Sequence, residues 1–448
     1  MQSISKTRYV YAISTIAAIG GILFGYDTAV ISGTTEALQS YFDLDDTTLG
    51  WIVSSALIGC IFGVTVAGWI IDTFGRKKGM SFAGFLFTIS AISCAFPISM
   101  EFLIVARLVG GIGVGVASMA TPIYIAEIAP PSIRGTLVSI NQVAIIFGMV
   151  LAYSANRFII GQGDEVWMTN WGWRWMFATE TVPAIIYLLL IYFIVESPRW
   201  LAKNQQFVNA KLVLQKIARP ELVEQTYSAI LKNLKEEEGQ LGELFLPKTR
   251  RITIMAMILA LFQAITGINV VMYYAPRIFL TAGIGIGDAY GHSIIIGLVM
   301  FVFTLVSLFL VDRIGRRPLL LIASCGMGVS LVLLGMAFPN AEDGATLLLF
   351  YTLSYVSFFS VGMGGIFWVV VSEIFPNRLR GRAMTISVIF LWGGNFLVAQ
   401  FFPVMLSVLK EKVFFVFAFS CAVCFLFIYL TVSETKGQSL EDIENKLF

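Results

Sequence analysis

Charge is scarce in this sequence. Only 13% of its 448 residues are Asp, Glu, Lys or Arg, about half the share usual in a soluble domain. That is too little polar surface to cover a water-exposed fold of this size. Hydrophobic residues make up 57% of the chain and the mean hydropathy is +0.83, so lipid is the expected solvent for most of the surface. Histidine is nearly missing. His292 is the only one, opens the eighth apolar run, and reads as a surface residue. The five cysteines all fall in apolar runs and read as packing residues. Cys421 and Cys424 have redox-motif spacing, but no soluble domain surrounds them. No metal site, catalytic residue or cofactor is expected. A net charge of +2 offers nothing for nucleic acid. No GxxxxGK[ST] string is present, which disfavours ATP-driven chemistry. The first apolar run lacks a small-residue cleavage site after it and reads as a retained helix.

What is abundant is long apolar runs. A helix needs about 20 apolar residues to cross the hydrocarbon. Twelve runs qualify, at 9–33, 48–71, 79–98, 102–125, 136–160, 173–195, 252–280, 291–311, 317–338, 345–372, 381–408 and 413–432. Basic residues crowd one side of them, including Lys6, Arg8, Arg76, Lys77, Lys78, Arg134, Arg313, Arg316, Arg317, Arg378, Arg380 and Arg382. The loop after the first run carries Glu36, Asp43, Asp45 and Asp46 and no base. The positive-inside rule then places both termini in the cytoplasm. The expected class is an all-α membrane protein of two six-helix bundles. Their boundaries are 1–196 and 252–432, with a cytoplasmic helical linker at 197–251 and a tail at 433–448. In the linker, Pro220 separates two helix-like stretches and Glu236, Glu237 and Glu238 follow.

The two halves repeat. The first carries Asp72-Thr-Phe-Gly-Arg76-Lys77, then Glu127 to Arg134-Gly135, then Glu196-Ser-Pro-Arg199. The second carries Asp312-Arg-Ile-Gly-Arg316-Arg317, then Glu373 to Arg380-Gly381, then Glu434-Thr-Lys436-Gly437. Asp72 to Glu196 is 124 residues, Asp312 to Glu434 is 122, and both Glu-to-Arg gaps are seven. Parallel six-helix repeats are a transporter signature, with the solute site near mid-membrane. The charged sets lie at cytoplasmic helix ends. They read as a gating network of Asp72, Arg76, Glu127, Arg134, Glu196, Arg199, Asp312, Arg316, Glu373, Arg380 and Glu434. The lysines read as topology signals only.

Three ionisable residues fall inside early runs, where each costs a few kcal/mol unless paired. Asp27, Arg107 and Glu180 all lie roughly 7–11 Å below the same surface, at 1.5 Å per residue. Two acids around one base suit a proton held part of the time. A permanent salt bridge that fixes packing is the alternative. Uncharged polar groups and aromatics also recur within the spans. They are Gln142, Gln263, Asn269 with Tyr273 and Tyr274 one turn on, Trp368, Trp392 and Asn395. Amides donate and accept as hydroxyl groups require, and aromatic faces stack on sugar C–H surfaces. Each alone could be interhelical glue or a belt residue. Gly267, Gly362, Gly364 and Gly365 are expected to loosen helices at a gate.

These strings resemble the sugar porter family of the major facilitator superfamily over nearly the whole chain. The matching residues are Gly-Tyr-Asp27, Asp72-Thr-Phe-Gly-Arg-Lys, Arg107-Leu-Val-Gly-Gly, Tyr124-Ile-Ala-Glu127, Glu196-Ser-Pro-Arg-Trp-Leu, Gly267-Ile-Asn269, Asp312-Arg-Ile-Gly-Arg-Arg, Ser372-Glu373-Ile-Phe-Pro and Glu434-Thr-Lys-Gly. The pattern is most similar to bacterial sugar–proton symporters of the D-xylose type. The resemblance implies the major facilitator fold and a cytoplasmic-membrane location. It also implies a transporter, not an enzyme, that couples a monosaccharide to a proton; the chain is expected to function as a monomer. Asp27, Arg107 and Glu180 are then the proton-coupling group. Phe24, Gln142, Gln263, Asn269, Trp368, Trp392 and Asn395 contact sugar, and Tyr273 and Tyr274 gate the outer side. The sequence departs from the family at Ala264, Gly365, Leu391 and Met149, so the sugar itself stays open. A facilitative uniporter and a non-transporting sugar sensor are the alternatives. The sensor is disfavoured by the short segment after the last span, and a drug antiporter by a fifth span without proline.

Overall fold

The computed structural model describes residues 2–131, 133–234 and 240–436. Among them there are helices and turns and no strand. The helices are α1 (Gln2–Val30), α2 (Thr35–Phe42), α3 (Asp46–Phe74), α4 (Arg76–Ala95), α5 (Met100–Ile128), α6 (Arg134–Ile160), α7 (Glu165–Trp167), α8 (Trp173–Ile191), α9 (Pro198–Lys203) and α10 (Phe207–Ile217). They continue as α11 (Val223–Asn233), α12 (Pro247–Ile265), α13 (Ile268–Thr281), α14 (Ile286–Ile314), α15 (Arg316–Ala337), α16 (Ala341–Val361), α17 (Met363–Glu373), α18 (Asn377–Leu409) and α19 (Lys412–Thr431). Twelve spans among the described residues are long and apolar enough to cross a bilayer, and each coincides with a run read from the sequence. The sixth differs most. It runs Glu165–Ile191 and stops before the apolar Tyr192–Val195 stretch. Just beyond that end, Lys77 Nζ donates to the carbonyls of Tyr192 (2.7 Å) and Ile194 (2.8 Å), which the helix no longer satisfies. In the linker, Pro220 does separate two helices, α10 and α11. Glu236, Glu237 and Glu238 and the tail from Gly437 lie outside the described residues.

Two spans are broken, and both breaks fall at glycines. Between α12 and α13, Gly267 takes φ +96°, a left-handed conformation that costs other residues about 1–2 kcal/mol. A Cβ there would also sit 2.9 Å from the Phe417 ring. Between α16 and α17 the break is at Gly362. Gly364 and Gly365 lie inside α17.

Prolines inside spans leave carbonyls without their usual N–H donor four residues on, a costly state in lipid. At two of these prolines tyrosines supply the missing donor. Pro276 deprives the Met272 carbonyl, and Tyr153 Oη donates to it at 2.9 Å. Pro403 deprives the Ala399 carbonyl, and Tyr274 Oη donates to it at 2.9 Å. At the Gly267 break, Tyr355 Oη donates to the Thr266 carbonyl at 2.9 Å.

The described residues fall into two compact units. The first takes in those of Met1–Asp27, Ile58–Ala152 and Arg174–Glu237. The second takes in those of Thr28–Leu57, Tyr153–Trp173 and Glu238–Phe448. The ends of several early helices thus pack with the later part of the chain. His292, expected at the surface, is half-buried in the second unit, with its ring edge-on to Phe279 at 4.9 Å. The apolar face of α13 covers it.

Candidate functional site

The repeated charged motif is built the same way in each unit. In the first, Gly75 precedes α4 with φ +102°, and a Cβ on it would lie 2.3 Å from Glu196 Oε2. Only glycine leaves room for that carboxylate. Glu196 accepts from the backbone N–H groups of Arg76 (3.0 Å), Lys77 (3.2 Å) and Ser197 (2.8 Å). It thereby caps the positive end of α4. Arg76 then turns back, giving Nε and Nη2 to Glu127 at 2.9 Å each and Nη1 to Asp72 at 3.1 Å. The bidentate fork is the strong form of such a pair.

In the second unit, Gly315 takes φ +106° and a Cβ would meet Glu434 Oε2 at 2.6 Å. Glu434 accepts from the N–H groups of Arg316 (3.0 Å), Arg317 (3.0 Å), Thr435 (3.0 Å) and Lys436 (2.8 Å). Arg316 bonds Glu373 at 3.0 Å and pairs with Asp312 at 3.2 Å. The two caps differ in charge balance. Burial pushes the Glu196 carboxyl above its usual range, against the pull of its backbone donors. Burial acts upward on Glu434 too, but four backbone N–H groups outweigh it and hold the carboxyl below its usual range.

The Glu-to-Arg spacing of seven yields no pair among the described residues. Arg76 and Arg316 hold the two glutamates. Arg134 and Arg199 are exposed, and Arg380 is half-buried, each outside the described ion pairs.

Asp27, Arg107 and Glu180 come together inside the first unit. Arg107 Nη1 donates to Asp27 Oδ1 at 2.9 Å, with side chains only 2% and 7% exposed. The guanidinium also lies 5.9 Å from the Phe177 ring centre. Tyr26 Oη donates to Thr179 Oγ1 at 2.8 Å. That bond joins the residue before Asp27 to the residue before Glu180, and so sets the two acids at one level. Glu180 is buried, and its Oε1 has no hydrogen-bond partner among the described residues. Gly110 keeps the site compact, since a Cβ on it would strike Ser90 Oγ at 2.4 Å, beside Asp27. Phe24 and Gln142 are half-buried in the same unit. α1 and α6 touch there backbone to backbone, and a Cβ on Gly25 would strike the Ile145 carbonyl at 1.8 Å.

The amides of the second unit cluster around the Gly267 break. Gln263 Nε2 donates to the Met363 carbonyl at 3.2 Å, so the end of α12 is tied to the start of α17, just past the second break. Its Oε1 is buried without a partner among the described residues. Asn269 Nδ2 donates to Asn395 Oδ1. Trp392 and Asn395 are buried, and Trp368 is half-buried beside Phe367 at 5.1 Å. Ala264 stands where the resemblance implies a second glutamine. A Cβ on Gly394 would lie 2.8 Å from Ala264 Cβ, so α12 and α18 cross too closely there for a long side chain. Tyr273 is buried, and Tyr274 is buried with its hydroxyl committed to the Ala399 carbonyl.

One cluster went unread in the sequence. On the face opposite the charged motifs, Arg277 of α13 gives Nη2 to Asp46 Oδ1 at 2.7 Å and Nη1 to Gln39 Oε1 at 2.7 Å. It also lies 3.6 Å from Glu36. The signal was present: the loop after the first span holds four acids and no base, and Arg277 follows a proline near the end of a span.

The chain is matched over residues 13–447 by the model of a family described as sugar (and other) transporters. It is 39% identical over 438 residues to the arabinose-proton symporter of Bacillus subtilis, covering 97% of this chain and 94% of that one. It is 40% identical over 473 residues to the D-xylose-proton symporter of Escherichia coli, covering 98% and 96%. The inward-open structure of the E. coli xylose transporter superposes with a TM-score of 0.88 at 38% identity, covering 98% of this chain and all of that one. The structure of that symporter bound to 6-bromo-6-deoxy-D-glucose gives 0.82 at 37% identity, covering 99% and 100%.

Proposed function

This chain belongs to the sugar transporter family, a membrane transporter and not an enzyme, and from that premise we propose that it imports a monosaccharide, pentose or hexose, together with a proton. The observation that carries the proton half is the buried Asp27–Arg107 pair with Glu180 beside it. A permanent structural bridge needs one acid. The second acid offers Arg107 another partner when Asp27 takes up a proton, so protonation and conformation become linked. The sugar half rests on the amides and aromatics. Gln263, Asn269, Asn395, Trp368 and Trp392 are its contacts in the second unit, and Gln142 and Phe24 those in the first. Tyr273 and Tyr274 border the solute path, with Tyr274 acting through α18.

The basic residues of the motif face support a cytoplasmic placement of that face and of both termini. Residues 1–196 and 252–432 are the two bundles, 197–251 the linker and 433–448 the tail, and the chain works as a monomer without nucleic acid or cofactor. The motif clusters of Asp72, Arg76, Glu127 and Glu196, and of Asp312, Arg316, Glu373 and Glu434, stabilise the closed cytoplasmic side. Arg134, Arg199 and Arg380 engage only in that state.

The test is reconstitution into liposomes with an imposed pH gradient. Xylose, arabinose and glucose are offered in turn, and the external medium is followed with a pH dye. The expected result is accumulation of at least one sugar above equilibrium, with alkalinisation of the medium. Sugar that equilibrates with no proton movement would make the protein a uniporter.

A further inference from the structure

We propose that Arg277 is a charged latch that holds the face opposite the motifs shut, and so sets how often the solute site is presented to that face. The inference rests on the alternating-access reading above.

The geometry is that of a latch on a hinged element. α13 begins at the Gly267 break, and Tyr274 departs from helical geometry within it, at φ −128° and ψ 17°. Asn269 lies before this kink, and Arg277 one residue beyond Pro276. Arg277 is thus the handle of a short segment that can swing. Its partners all lie on other elements, Glu36 and Gln39 on α2 and Asp46 at the start of α3. Two further bonds bring the same regions together. Tyr290 Oη of α14 donates to the Gly33 carbonyl at 2.8 Å, and Ser54 of α3 bonds Gln400 of α18 at 2.8 Å.

Partial exposure separates a latch from a permanent staple. Arg277 is 12% exposed, Asp46 23% and Glu36 45%. Breaking a fully buried pair strands an uncompensated charge in low dielectric. Here water already reaches the acids. When Arg277 leaves, Asp46 keeps the N-terminus of α3 and the amide of Gln39 at 3.3 Å. Opening therefore has a modest cost, and salt should lower it further. Gln39 accepts from Arg277 and donates to Asp46, which fixes the register of closure.

The experiment uses the full chain in liposomes. Half-saturating sugar concentration is measured separately at each face, with thermal midpoints recorded in parallel. Arg277→Gln should lower the value at the face opposite the motifs, relative to the motif face, by about fivefold or more. Arg277→Glu should shift it further. Arg277→Glu combined with Asp46→Arg should bring the ratio back toward that of the parent protein. A purely structural role would lower the midpoint and leave the ratio unmoved. Unmodified protein gives a second reading: raising salt from about 0.01 M to about 1 M should move the same ratio in the same direction. A ratio that ignores both Arg277→Gln and salt, in protein that transports sugar, overturns the latch. Unmodified protein that carries no sugar overturns the transport reading instead.

Discussion

Replacing Asp27 by asparagine is the sharpest test of the buried charge group. At the observed 2.9 Å, and with an effective dielectric of about 20, Coulomb's law gives the pair roughly 6 kcal/mol. One pH unit is worth only about 1.4 kcal/mol. Desolvation of both buried charges offsets much of that attraction, and a proton competes best when another anion takes over the cation as the pair breaks. Glu180, at the same level on α8, is placed to be that anion. Asp27→Asn should therefore be mild in stability, because Arg107 keeps an acid. Glu180→Gln should be mild for the same reason. The double variant leaves a buried guanidinium with no carboxylate, a state that costs about 3–5 kcal/mol. The cycle should thus show a coupling of about 1–3 kcal/mol beyond the sum of the single changes. Denaturant unfolding of purified protein measures it. In liposomes, Asp27→Asn should abolish accumulation driven by a pH gradient while leaving exchange between equilibrated sugar pools intact. Strictly additive stabilities, or accumulation undiminished in the single variant, would refute the shared-cation argument.

Alanine at Gln263 or Asn269 should weaken sugar binding by about 1–3 kcal/mol per lost partner, read by calorimetric titration; unchanged affinity would make them packing residues. Gly267→Ala should destabilise the fold by about 1–3 kcal/mol, because φ +96° and the Phe417 ring both oppose a Cβ; an unaltered thermal midpoint would contradict the break described here. The two motif caps should respond oppositely to pH. Glu434, held low, contributes stability above the ordinary glutamate pKa and loses it as pH falls through its depressed value. Glu196, held high, contributes at low pH and loses that contribution as pH rises through its raised value. Thermal unfolding at pH 4 and pH 7 should therefore show Glu434→Gln and Glu196→Gln changing the pH dependence with opposite sign; the same sign in both would contradict the assignment.

The spans were legible because lipid imposes a length and a composition on each helix. The motif repeat was legible because charge at a helix end stands out against an apolar background. Asp27, Arg107 and Glu180 were found by arithmetic alone, since depth along a helix follows from residue number. Pairing across helices is a different matter. Glu127 and Glu196 were expected to pair with Arg76 and Lys77, and Arg76 does hold Glu127 as Arg316 holds Glu373, but which base takes which acid, at separations of 51 and 57 residues, could not be read from spacing. Packing chose those partners. The carbonyls past the end of the sixth span are met by Lys77, more than a hundred residues away. Tyr274 looked like a gate by its position, whereas its hydroxyl answers a proline in another helix. Arg277 was visible only as the base that an all-acidic loop lacked.

The tyrosine–carbonyl bonds at Met272 and Ala399 bear on how such a protein survives repeated bending in oil. A helix that flexes at a proline must do something with a dipole that its own ladder has abandoned. A hydroxyl on a neighbouring helix can rotate to follow that dipole through many degrees, or hand it briefly to water, and then reclaim it. The weak points of these spans are thus serviced from outside, and fatigue at a bend becomes a property of the companion helix as much as of the one that bends.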